Sequence, residues 1–184
     1  MAMATNNIEL GSVEVYFKAS GAEAEVDMGY TNGGAKITVS QETVEIEVDQ
    51  LLDPIDEMIT KRTIEIEVPV ISVNVETLQL AFPGSTIVTD KTDPEKRKLV
   101  LGSTTGSSLT SYAGELRLHP VENAPTDHSE DYFFPCAAPM GNLELSFTKN
   151  DLRTIPLTFK AFPAEVEGLG KASMVYGDPA ASAS

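Results

Sequence analysis

"TVEIEVDQLLDPIDEMITKRTIEIEVPV", residues 43–70, contains the tetrapeptide EIEV twice, at 45–48 and at 65–68. In each copy apolar residues alternate with carboxylates, the period of two that marks a strand with one buried and one wet face. Val44, Ile46 and Val48 oppose Glu45, Glu47 and Asp49, while Ile64, Ile66 and Val68 oppose Glu65 and Glu67. Paired antiparallel with both apolar sets on the core, the two copies gather five acids (Glu45, Glu47, Asp49, Glu65 and Glu67) on one outer face. Like charges directly opposite cost about 0.2–1 kcal/mol per pair, so such a face calls for a physical reason.

The predicted connection, residues 50–61, is too long for an ordinary hairpin loop and too apolar for a free tip. It carries Leu51, Leu52, Ile55, Met58 and Ile59, with Asp53-Pro54 placed to cap a single helical turn. Exposed apolar residues on a long loop either fold over their own core or meet a partner. A charged ribbon joined to an apolar tip therefore points to assembly.

Working outward, "VEVYF", "AKITVSQETVEIEVDQ", "STIVTD", "KRKLVLG", "YAGELRLHPV", "GNLELSFTKN" and "IPLTFKAFPA" all read as strands. Turns are marked at Asn32-Gly33-Gly34 and Asp93-Pro94, and the last two strands are predicted to form a hairpin through "KNDLRT". One helix is predicted over "SVNVETLQLAFPG", with Val75, Leu78 and Phe82 on one face, Ser72 or Asn74 as N-cap and Pro83-Gly84 as the stop. The pattern predicts a single, mainly β domain over residues 1–184, an antiparallel sandwich or barrel with one flanking helix. Residues 1–7 read as an N-terminal arm and 166–184 as a flexible C-terminal arm.

Composition narrows the function. The net charge is −15, which repels phosphate and disfavours both nucleic-acid and anionic-membrane binding. Trp is absent, so an aromatic stacking platform is not expected. No apolar run reaches the roughly 18–20 residues of a membrane span, and no secretion signal is read at the N-terminus. The lone Cys136 allows no internal disulfide and sits among apolar residues, where a thiol is inert packing.

Candidate chemistry is thin. His119, Glu122, Asp127, His128, Glu130 and Asp131 cluster within thirteen residues, but their spacing fits no metal signature and a solvated acidic loop explains them better. "GSTTGSS" lacks the order of a phosphate-binding loop. The glutamates of the two EIEV copies lack the contrasting environments of a glycosidase pair. No enzyme, cofactor or metal is expected.

Several segments in order resemble the tail tube (major tail) proteins of long-tailed, siphovirus-type bacteriophages: "VDMGYTNGGAKITVSQETVEIEVDQ", "LLDPIDEMITKRTIEIEVPV", "NVETLQLAFPG", "KLVLG", "GELRLHP" and "LELSFTKNDLRTIPLTFKAFP". The most specific part is the pattern of Asp49, Gln50, Pro54, Asp56, Glu57, Ile59, Thr60 and Arg62, and the resemblance spans roughly residues 8–165. It implies a virion structural subunit that forms hexameric rings, stacked into a hollow tube through which DNA leaves the capsid without specific binding. Under it, Glu45, Glu47, Asp49, Glu65 and Glu67 line the lumen. Leu51, Leu52, Pro54, Ile55, Asp56, Glu57, Met58, Ile59, Lys61 and Arg62 reach the next ring. The implied partners are further copies of the chain, a tape-measure protein, and tail-tip or baseplate and terminator proteins. A tail-terminator or distal-tail ring of the same fold and a monomeric ligand-binding β-sandwich are the alternatives.

Overall fold

The computed structural model describes residues 11–71, 74–103, 106–141, 152–166, 168, 170–179 and 181. Its strands are β1 (Val13–Ala19), β2 (Val26–Asp27), β3 (Lys36–Ile46), β4 (Asp56–Val70), β5 (Ser85–Thr89), β6 (Arg97–Leu101), β7 (Gly114–Pro120), β8 (Tyr132–Pro139), β9 (Ile155–Ala161), β10 (Ala164–Val166), β11 (Gly170–Ala172) and β12 (Val175–Tyr176). The main sheet runs β2-β1-β7-β8-β9-β4-β3 with β12 added to β8, and every pairing in it is antiparallel. The mainly β, sandwich-like class expected from the strand patterns is what forms, with one α-helix, α1 (Val75–Ala81).

Alternation explains the core. Val15 and Phe17 of β1, Leu116 and Leu118 of β7, Ile64, Ile66 and Val68 of β4 and Leu157 and Phe159 of β9 are all buried on one face. The sheet curls around them. β1 and β9 lie three places apart in the sheet, roughly 14 Å if it were flat, yet the rings of Phe17 and Phe159 are centred 5.5 Å apart. The segment after β2 closes toward the far strand, with Asn32 N donating to Pro69 O and Ile71 N to Tyr30 O. Gly114 allows the tightest approach, since a Cβ there would meet Lys18 O at 2.2 Å.

The helix is capped as its sequence predicts. Asn74 Oδ1 accepts from Thr77 N at 2.6 Å, and Thr77 and Ala81 are buried. Three expectations need correction. β8, in "YFFPCAAP", is a strand that the sequence pattern does not predict, because two prolines and few polar residues hide its period. Residues 170–176 do not form a free arm: β11 pairs β10 and β12 pairs β8, with the Tyr176 ring centred 4.8 Å from that of Tyr132 and tilted 50° to it. No helical turn forms at Asp53-Pro54. The predicted strand over 142–150 and the N-terminal arm lie outside the described residues.

Candidate assembly surface

The hairpin of β3 and β4 sets the most distinctive surface. β4 buries its alternate residues Ile64, Ile66, Val68 and Val70 but is exposed from Asp56 to Arg62, so its first half leaves the body of the domain with β3 as its one strand partner among the described residues. The result is a two-stranded arm. Polar cross-strand contacts hold it: Lys61 Nζ lies 2.6 Å from Glu42 Oε1, Thr60 Oγ1 donates to Glu42 O, and the Thr43 hydroxyl donates to Glu57. The Gln41 amide, with its oxygen turned to Arg62, accepts from Nε at 2.9 Å and Nη2 at 3.0 Å. At the far end Ile55 N donates to Ile46 O and Leu51 N to Val48 O. Leu51, Leu52, Ile55, Met58 and Ile59 are all more than half exposed, and Leu52 is wholly so.

The pairing corrects the hairpin predicted from the repeated tetrapeptide. The copy at 65–68 does not face the copy at 45–48; it faces "KITV", with Lys36 opposite Glu67, Ile37 opposite Ile66, Thr38 opposite Glu65 and Val39 opposite Ile64. The upstream copy pairs instead with what was read as loop, placing Glu45 opposite Glu57 and Ile46 opposite Asp56. The connection is therefore residues 47–55 rather than 50–61, and Asp56, Glu57, Met58, Ile59, Lys61 and Arg62 are strand residues. An eleven-residue ladder satisfies many more backbone groups than the short one predicted.

Consequently the five acids do not share a face. Counting by twos from Ile37 puts Glu45 on the core side of β3, and Val44 and Ile46 on the outer side with Thr38. The register shifts between Glu42 and Thr43, where Thr60 is the extra residue of β4, and this bulge keeps the strands paired as the apolar phase changes. Glu65 and Glu67 stay on the outer face, interleaved with cations: Lys36 Nζ lies 3.8 Å from Glu67, and Lys160 is opposite Glu65. Glu47 and Asp49 belong to the exposed connection. Among the residues singled out in the sequence, Leu51, Leu52, Pro54, Ile55, Asp56, Glu57, Met58 and Ile59 are brought together at the arm's distal half, with Lys61 and Arg62 nearer its base.

A second cluster forms where residues 121–131 fold over the outward face of β7. Asp131 is fully buried and accepts from three directions: His119 Nδ1 at 2.6 Å, His128 Nδ1 at 2.8 Å and Arg117 Nη1 at 3.2 Å. Arg117 also pairs with Glu25 at 2.6 Å and lies 4.4 Å above the Tyr16 ring. Burial pushes the Asp131 carboxyl up, but the three donors outweigh it and hold the group below the usual carboxylate range. The Tyr16 hydroxyl, which donates to Glu14 at 2.6 Å, is pushed up to about 12, chiefly by that hydrogen bond.

His119, His128 and Asp131 bring potential metal-ligand atoms within 4.8 Å of one another. The Arg117 guanidinium already supplies the positive charge, 3.2 Å from Asp131 Oδ2 and 3.5 Å from His128 Nδ1, so the set fits an ionic lock better than a divalent cation. A solvated acidic loop is what the sequence predicts for His119, His128 and Asp131, whereas the fold gathers them around a buried carboxylate. The alternation of β7 gives no signal of it, since it places His119 on the outward side, where only the fold buries it. Cys136 is half-buried, and burial pushes its thiol up.

No helix among the described residues is long and apolar enough to cross a membrane. No model of a known protein family matches the chain, and no curated protein matches it in sequence.

Proposed function

We propose that the chain is the structural subunit of a bacteriophage tail tube, assembling as hexameric rings that stack into a channel for DNA. The observation that carries this reading is the arm: a ribbon of paired backbone with no core of its own and with apolar side chains open to water. An isolated two-stranded ribbon is marginal in water, and exposed apolar groups on it favour a partner. The ordered resemblance of six segments to tail tube proteins supplies the identity of that partner, further copies of the same chain. β3, which among the described residues is an edge strand paired on one side only, supports the reading too, because a ring of adjoining sheets removes open edges.

The net charge of −15 suits a channel that DNA must leave quickly, since no counterion release would hold the duplex. That property belongs to the whole surface. The outward face beside Glu65 and Glu67 is of mixed sign. Tape-measure, tail-tip and terminator proteins are the further partners under this reading, with the virion tail as location.

Electron microscopy and sedimentation of the purified protein over rising concentration test the proposal. Rings and tubes are the expected result, and a variant with residues 43–59 replaced by a tight turn should stop short of tubes. A wild-type protein that stays monomeric at every concentration would falsify the reading.

A further inference from the structure

The arm is not the only exposed ribbon. β5 and β6 form a two-stranded sheet separate from the main one. One of its faces rests on α1: Ser85 is buried, Ile87 and Leu99 are half-buried, and Arg97 pairs with Glu76. The opposite face presents Thr86, Val88, Lys98 and Val100, all exposed, with Val88 beside Lys98 and Thr86 beside Val100 in the ladder. Leu101, at the end of β6, is 60% exposed.

Charge distinguishes this ribbon from the arm. Residues 91–98 hold Lys91, Lys96, Arg97 and Lys98, four of the chain's 13 Lys and Arg. Two of the neighbouring acids are turned into their own loop: Asp90 accepts from Thr92 N at 2.8 Å, and Asp93 accepts from Glu95 N and pairs with Lys96. Among the described residues, Lys91 and Lys98 have no ion-pair partner. The arm from Glu45 to Glu57 carries Glu45, Glu47, Asp49, Asp53, Asp56 and Glu57 and no basic residue.

We propose that the exposed face of the β5–β6 ribbon is the seat for the arm of a second copy of this chain. Val88 and Val100 meet the arm's leucines and Met58, while Lys98 and Lys91 face its carboxylates. Each ribbon alone exposes apolar side chains; the arm's charges are all acidic from Glu45 to Glu57, and residues 90–98 set four bases against the three acids Asp90, Asp93 and Glu95. Apolar contact supplies the affinity, and the opposite charges fix register and suppress arm-to-arm pairing. The inference rests on the assembly reading above and names the surface that reading leaves open.

The test uses the full chain with Cys136→Ser, so that introduced thiols stand alone. Leu52→Cys and Val88→Cys are made separately, mixed, and oxidised mildly. A disulfide-linked heterodimer that forms in the mixture and far less in either variant alone is the expected result. Val88→Asp with Val100→Asp should raise the concentration needed for assembly roughly tenfold or more, with melting temperature unchanged because both valines are exposed. Wild-type-like assembly without that cross-link, or unaltered assembly of the double aspartate variant, overturns the seat while leaving assembly intact. A parent chain that never self-associates overturns both.

Discussion

Asp131 offers the most direct test of how the domain is held together. Replacing it by Ala removes the acceptor for His119, His128 and Arg117 at once. His119 is 2% exposed, so its Nδ1 proton would find no water in compensation. Breaking a buried ionic contact by removing one partner costs about 3–5 kcal/mol, and Arg117 keeps Glu25, which favours the lower end. For a domain of this size each kcal/mol lowers Tm by roughly 2–4 °C, giving a fall of about 6–20 °C. The backbone of the same residue accepts from Gly177 N at 2.9 Å, so hydrogen exchange should accelerate at β12 as well as in residues 121–131.

Acid sharpens the test. Because the folded state holds the Asp131 carboxyl below its ordinary value, its stabilisation is complete above the unfolded pKa of about 3.9 and is lost as pH falls through the lower folded one. Thermal melts followed by circular dichroism at pH 5, 4 and 3 should show the gap between wild type and Asp131→Ala narrowing below about pH 4. A neutral-pH loss under about 1 kcal/mol, or a gap that does not narrow below about pH 4, would refute the lock.

Other perturbations separate packing, capping and the arm. Gly114→Ala should cost at least about 1–3 kcal/mol in urea denaturation, since its Cβ would press on Lys18 O and on Phe17 Cζ at 2.8 Å. Asn74→Ala removes the acceptor for Thr77 N and should cost about 1 kcal/mol, read from the same curves. Glu45→Lys turns a like-charged cross-strand pair with Glu57 into an attractive one, stabilising the arm by about 0.2–1 kcal/mol and slowing amide exchange over 43–58. Cys136 should react with a maleimide more slowly than a free thiol at neutral pH, because burial pushes its pKa up, and a matching rate would contradict that burial.

What was legible in the sequence follows from where one force dominates. Strands such as Ile64–Val68 and Leu116–Leu118 are half-buried, so alternation announces both their existence and their inward side. The cap at Asn74 and the turn at Asp93 are local chemistry and were equally readable. Register was not, because the two EIEV copies match in pattern while "KITV" matches the second copy equally well. β8 was hidden by its prolines, and the Asp131 lock by burial: its residues are close in sequence, but only the fold lays 121–131 over β7 and takes Asp131 and His119 out of water.

The phase change within β3 was in fact present in the sequence. Ile37 and Val39 fall on odd positions, whereas Val44, Ile46 and Val48 fall on even ones, so one uninterrupted strand cannot bury both sets on the same side. The strand continues, and the second set turns away from the core where the ribbon leaves the body. An arm built this way exposes apolar groups that a neighbouring chain can cover, and it would aggregate with other arms were it neutral. Its carboxylates oppose that pairing by like-charge repulsion, while a surface that offers lysines beside valines escapes the penalty. Under the proposed assembly, the acids flanking the apolar tip would select the partner and leave the sticking itself to the leucines and Met58.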